Sequence, residues 1–245
     1  MESPSRHIWT SALIVALGMA LGGAFLGAGF RAGRASDRYV TVKGAVEREV
    51  EANLALWPLQ LVAAANDLGA AQSEARSRAE LARAFLAENG IAPEQVTVQG
   101  FKVTDTQANA YQSGSSANRF IITQTLMVRS EDPHTVLAAS QRVGDLVDAG
   151  VVLISGEEYG PGGPTFLFTR LNDLKPAMLA EATSRAREAA GEFASSSGSQ
   201  VGPIRRANQG VFEILPRDPV PGQSEQNQLF KTVRVGATIE YLLEG

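Results

Sequence analysis

An uncharged apolar run from Ile8 to Phe30 constrains this chain more than any other feature. At about 1.5 Å of rise per residue, a helix over this run is about 34 Å long, which is enough to cross a hydrocarbon core of about 30 Å. The run predicts four segments. These are a short N-terminus (1–7), a transmembrane anchor (8–30), a linker (31–38) and a folded domain (39–245).

A cleaved signal peptide is the alternative to an anchor. The apolar core of a signal peptide is about 7–15 residues long, and this run is longer, so we expect an uncleaved anchor. Gly33-Arg34-Ala35 nevertheless offers a cleavage site before Ser36, which would release a soluble domain. Arg6 favours an inside N-terminus, whereas the arginines that follow the run favour the opposite topology, so the arginine count leaves the orientation open.

Four glycines within the apolar run have the spacing of a helix-packing face. Small residues four positions apart let two membrane helices approach closely, which makes this face a candidate for self-association. Glycine is also common in membrane helices that do not pair. The candidate residues are Gly18, Gly22, Gly23 and Gly27.

Composition excludes several functional classes. The chain has no cysteine, which excludes disulfides, thiolate metal sites and thiol catalysis. Its formal net charge is −4 at pH 7, without a basic cluster, which argues against nucleic-acid binding.

Hydrophobic periodicity predicts an α+β fold. We expect repeated strand-strand-helix units, with the helices packed on one face of a mainly antiparallel sheet. Alanine-rich stripes predict helices from Asp67 to about Asn89 and from about Asn172 to the Ser195–Gly198 cluster, and Asp132 is expected to cap a helix that ends at Gly150. Pro58 should mark an edge strand or a bulge. The predicted strands cover 40–50, 53–65, 96–103, 119–129, 151–157, 165–169, 201–213 and 229–243.

No group of residues has a catalytic, cofactor-binding or metal-binding pattern. His134, in the first turn of a predicted helix, is the one histidine that the folded domain offers to a metal or a nucleophile, and we expect it to be a surface residue. Glu157 and Glu158 are adjacent on a predicted strand, so they should point to opposite faces. The Gly/Pro-rich turn at 156–164 lacks the Lys-Ser/Thr of a phosphate loop, and Ser195–Ser199 lacks a nucleophile frame.

The chain resembles the SIMPL-domain family, which includes bacterial periplasmic antigens linked to oxidative-stress defence. The resemblance rests on Val40-Thr41-Val42-Lys43-Gly44, on Gly90-Ile91-Ala92-Pro93, and on the Ala/Arg-rich stretch from Ala182 to Gly202. Ala45 stands where the family usually has a second glycine, and Glu51-Ala52 replaces a common Pro-Asp. The resemblance implies a periplasmic domain and an inside N-terminus, and it implies no catalytic residues.

These observations together predict a non-enzymatic envelope protein in the bacterial inner membrane. We expect a homo-oligomer without cofactors, whose protein partner the sequence does not identify. Two long polar loops, Thr104–Asn118 and Leu215–Gln228, are candidate contact elements, although both could be disordered hairpin tips. The alternative is a periplasmic binding module whose small apolar or peptide ligand lies between the sheet and the alanine-rich helices.

Overall fold

A computed structural model describes residues 14–27, 38–108, 118–154 and 163–244 of the chain. The ends of the apolar run, most of the loop from Thr104 to Asn118, and the Glu157–Glu158 pair lie outside the described residues. So do the Gly/Pro turn up to residue 162 and the cleavage site at Gly33-Arg34-Ala35.

The described chain forms five helices and eight strands, confirming the α+β class. The helices are α1 (residues 14–27), α2 (Leu68–Glu88), α3 (Pro133–Gln141), α4 (Gly144–Asp148) and α5 (Leu171–Ser196). The strands are β1 (Tyr39–Glu51), β2 (Leu54–Ala65), β3 (Val96–Asp105), β4 (Phe120–Ser130), β5 (Thr165–Leu167), β6 (Gln200–Gln209), β7 (Glu213–Pro216) and β8 (Phe230–Glu244).

The strands form two antiparallel sheets, whereas the sequence led us to expect one. One sheet has the order β1-β8-β6, with β7 also paired to β8, and the other has the order β3-β4-β2-β5. Consecutive strands are usually neighbours, but β1 pairs with the last strand and β2 pairs with β4. Only Ala52 and Asn53 separate β1 from β2, and their amides donate to the carbonyls of Leu229 and Leu167 instead of closing a hairpin. The repeated strand-strand-helix units are not seen.

Contacts divide the chain into two compact units. The unit formed by residues 47–175 and 213–234 contains the four-stranded β3-β4-β2-β5 sheet and α2. Asp67 caps α2 through Oδ1, which accepts from the Ala70 amide at 2.9 Å, as predicted. Gly90 ends the helix with a φ of 81°, a conformation that favours glycine. Ala79 and Ala82 of α2 lie in one buried cluster with large side chains of the sheet, among them Trp57, Leu59, Leu61, Leu126 and Val128.

Two local predictions for this unit were wrong. The helix expected from Asp132 to Gly150 is divided at Arg142–Val143 into α3 and α4, although Asp132 does cap its start. Pro58 lies in an interior strand and in unbroken register with Met127. On the side of β2 away from β4, residues 54–56 pair with β5, and Gln60 and Val62 bond to residues 152–154. Pro58 lies between these two contacts, so its missing N–H costs no hydrogen bond that the structure describes.

The other unit, formed by residues 1–46, 176–212 and 235–245, contains most of α5, strand β6, the first part of β1 and the last part of β8. The helix buries one stripe of small residues with Met178 at its start: Ala182, Ala186, Ala190 and Ala194. Gly44 of β1 lies directly under this stripe. A Cβ at Gly44 would overlap the Ala182 carbonyl oxygen and would lie 2.7 Å from the Ala186 nitrogen.

Candidate functional site

The predicted helix-packing face lies on α1. Gly18, Gly22, Gly23 and Gly27 are all within this helix, and a Cβ added to any of them would meet no atom within 4 Å. Every side chain of the helix is exposed, including Ile14, Leu21 and Phe25. Within the described part of the chain, no helix is both long and apolar enough to span a membrane.

His134 contacts Glu51 at the surface. Its Nε2 lies 2.5 Å from Oε1 of Glu51, and both side chains are exposed. The described residues contain no group of three or more His, Cys, Asp or Glu side chains that could hold a metal ion. The contact between His134 and Glu51 links α3 to the end of β1.

The first of two surface features that sequence reasoning missed is on β3. This strand is at the edge of its sheet and pairs only with β4 among the described strands. Val98, Phe101 and Val103 are each about half exposed along it. The signal was present in the sequence, since Phe101 and Val103 alternate with polar residues, but periodicity alone does not show which strand lies at an edge.

The second feature is an open groove on the face of the β3-β4-β2-β5 sheet that points away from α2. It has a volume of about 570 Å³. Leu56 of β2 lies opposite Arg129 of β4, and Thr97 of β3 lies opposite Met127, so alternate residues of three strands share this face. The lining residues are Leu56, Glu94, Gln95, Thr97, Gln99, Met127, Arg129 and Glu131.

The space between sheet and helices, where the alternative prediction placed a ligand, is filled. Ala71, Ala75, Ala79 and Ala82 of α2 are fully buried, as are the alanines of the α5 stripe. Small side chains on a helix permit either close packing against a sheet or an open groove. The alanine stripes of α2 and α5 are both closely packed. The groove lined by Leu56 and Met127 is on the opposite side of the sheet.

The loop from Leu215 to Gln228 is ordered, so it is not a disordered hairpin tip. The Gln228 side-chain amide donates to the Asp218 carbonyl at 2.6 Å, and its oxygen accepts from the Asp218 amide at 3.1 Å. Arg217 lies over the Phe230 ring, 4.8 Å from its centroid, and pairs with the Asp218 carboxylate. The hydrogen bond from Arg217 to the Asp218 carboxylate is the main reason why the pKa of Arg217 is raised.

Lys231 is a buried lysine at the base of this loop. Its relative exposure is 1%, and its Nζ donates to the Glu225 carbonyl. Burial lowers the pKa of the ammonium group, and the nearby Glu225 carboxylate opposes this shift. Sequence reasoning missed this residue, although Lys231 falls in the same alternation as the buried Val233 and Val235 and could have been placed on the inner face.

A comparison with protein families identifies the domain. The model of the SIMPL family, described as a protein of unknown function, matches residues 40–239. The chain belongs to the SIMPL family. No curated protein matches it.

The family membership confirms the resemblance found in the sequence. The stretch Val40-Thr41-Val42-Lys43-Gly44 is the first half of β1, and Gly44 is the residue that contacts the α5 backbone. Ala45, which replaces a usual glycine of the SIMPL pattern, points to solvent, so its methyl group is accommodated without change to the packing.

Proposed function

We propose that this SIMPL protein is a non-enzymatic envelope protein, anchored in the bacterial inner membrane by a single helix, whose periplasmic domain assembles with further copies of itself. A role in envelope or oxidative-stress defence is part of the proposal and comes from the family resemblance. The observation that carries the assembly is the apolar edge strand β3.

Strand β3 combines two properties that favour association. Its outer edge has no strand partner among the described residues, so its backbone amide and carbonyl groups on that side are available. Three large apolar side chains, Val98, Phe101 and Val103, are exposed on the same strand. An exposed apolar edge is an unfavourable surface for a monomer, and pairing with another copy would cover it.

The anchor is supported by the sequence from Ile8 to Phe30 together with the surface of α1. An isolated helix that is apolar on all sides gains stability only when lipid or protein covers it. The four-glycine face of α1 is open and could pack against a second anchor.

The assembly is tested by the molar mass of the full-length protein in detergent, measured by light scattering on a sizing column. We expect a discrete oligomer for the wild type and a smaller species for Phe101→Gln. Phe193→Gln on α5 is the matched control, because Phe193 has the same 53% exposure as Phe101. The control should keep the wild-type mass.

A second variant separates the domain from the anchor. Replacing Gly22 and Gly23 by leucine would block close approach of two α1 helices without changing β3. If this variant becomes monomeric while Phe101→Gln does not, then the anchor and not the domain assembles the protein. A wild-type monomer would contradict the assembly altogether.

A further inference from the structure

The groove on the open face of the β3-β4-β2-β5 sheet has a floor and a rim of different chemistry. Leu56 and Met127 are half-buried and form the apolar part of its lining. Glu94, Arg129 and Glu131 are exposed and charged. Thr97 and Gln99 add polar groups on β3. The groove therefore combines a small apolar floor with a polar and charged rim, which suits a small ligand that carries both an apolar side chain and charged groups.

The charged groups of the groove have no partners within the described parts of the chain. No ion pair or side-chain hydrogen bond joins Arg129, Glu94 or Glu131 to another described residue. By contrast, Gln95 is fixed. Its Oε1 accepts from the Ala92 amide at 2.9 Å and its Nε2 donates to Ser130 Oγ at 2.9 Å. The groove thus has one polar side chain fixed by hydrogen bonds, Gln95, and three charged side chains that are available to a ligand.

We propose that this groove binds a short peptide with free termini and one apolar side chain. The Arg129 guanidinium is suited to the peptide carboxylate, since arginine forms two parallel hydrogen bonds with a carboxylate group. Glu94 and Glu131 are suited to the terminal ammonium group, and the apolar side chain contacts Leu56 and Met127. The site is a different surface from the β3 edge, and it does not depend on self-assembly.

The size of the groove limits the ligand. A volume of about 570 Å³ is within the range of about 300–1,000 Å³ that is usual for small-ligand pockets. A di- or tripeptide fills such a space. A ligand with a single charge would leave either the arginine or the glutamates unpaired, so the charge pattern favours a zwitterion.

The test is isothermal titration calorimetry of the full-length protein in detergent with the tripeptide alanyl-leucyl-alanine. We expect binding to the wild type, and binding weakened about tenfold or more by Arg129→Gln, which removes a charge-assisted contact. Arg83→Gln is the matched control, because Arg83 is an exposed arginine of α2 outside the groove. This variant should bind like the wild type.

Modified peptides test the same contacts without changing the protein. The same tripeptide with a C-terminal amide in place of the carboxylate should bind the wild type as weakly as the free peptide binds Arg129→Gln. The affinity of this amidated peptide should be the same for the wild type and for Arg129→Gln. The N-acetyl peptide, which lacks the terminal ammonium group, should bind the wild type as weakly as the free peptide binds the double variant Glu94→Gln, Glu131→Gln. Its binding should not change further in that double variant. Absence of binding to the wild type at millimolar peptide, or equal binding by wild type and Arg129→Gln, would overturn the proposal.

Discussion

The two long helices of this protein both bury a stripe of alanines, but they pack on different surfaces. Helix α2 lies on large side chains, among them Trp57, Leu61 and Leu126. Helix α5 lies over Gly44, where its own backbone at Ala182 and Ala186 meets the strand. The same small residue is therefore used in two ways, once to accommodate bulky neighbours and once to allow close contact between a helix and a strand.

This difference shows what an alanine stripe can and cannot predict. It predicts which side of a helix is buried, because both stripes are fully buried. It does not predict the distance of approach, because that depends on residues of the sheet that are remote in sequence. The two interiors should therefore respond to opposite kinds of substitution, one to loss of volume and the other to gain.

Loss of volume should have the largest effect, in the α2 region. Leu126→Ala removes a fully buried side chain from the cluster that faces α2. We expect it to lower the free energy of unfolding by about 4 kcal/mol, since the site can only partly collapse. Urea unfolding followed by circular dichroism measures this. Leu81→Ala, on the exposed side of α2, should change the value by less than about 0.5 kcal/mol.

Gain of volume should have the next largest effect, in the α5 region. Gly44→Ala places a methyl group against the α5 backbone, which cannot move as a flexible side chain can. We expect a loss of about 2 kcal/mol in the same unfolding experiment. Gly191→Ala in α5 is the control. A Cβ there meets no atom within 4 Å, so it should stabilise the helix by about 0.5–1 kcal/mol.

The unfolding results for Gly44→Ala and Leu126→Ala test whether the packing under α5 differs from the packing under α2. If Gly44→Ala is tolerated as well as Gly191→Ala, then α5 shifts away from β1 at little cost and the close contact is not a constraint. If Leu126→Ala costs no more than Leu81→Ala, then α2 closes the space that Leu126 leaves, and the two interiors do not differ.

The smallest effect concerns Lys231, the buried lysine of β8. Lys231 is buried and has a lowered pKa, so the folded state releases its proton at a lower pH than the unfolded state does. Between the lowered pKa and the ordinary value of 10.5, the unfolded state binds more protons, and stability should therefore rise with pH. A single group limits the slope to about 1.4 kcal/mol per pH unit.

Lys231→Met should remove this rise, as measured by urea unfolding from pH 7 to pH 10.5. The slope is the decisive quantity, because the substitution also removes the donor to the Glu225 carbonyl and can change stability at every pH. Lys43→Met, at an exposed position of β1, should keep the wild-type slope. Equal slopes for wild type and Lys231→Met would mean that the ammonium group stays hydrated in the folded state.

Local sequence signals predicted much of the fold. Asp67, Asp132 and Gly90 act through hydrogen bonds or dihedral angles within a few residues, and each marks a helix end as expected. The pairing of β1 with β8 could not be predicted, because it joins the two ends of the domain and depends on no local pattern. For the same reason, one sheet was expected where two are present.

The candidate site was harder to predict than the fold. Leu56, Met127 and Arg129 come together because two strands pair in a register that side-chain alternation alone does not fix. His134 was the only histidine that the sequence offered to the folded domain for chemistry, and its side chain lies exposed at the surface against Glu51. The β3 edge and the groove on the sheet face both depend on the order in which the strands pair, which the sequence alone does not show.

The anchoring of the loop between β7 and β8 has an evolutionary consequence. At its base, Gln228 holds Asp218 and Arg217 covers Phe230, whereas at its tip the Gln223 amide donates to the Val220 carbonyl without a side chain taking part. Mutations at the tip can therefore accumulate without loss of the frame that presents it. Such a loop can diversify between related SIMPL proteins while the strands beneath it stay the same.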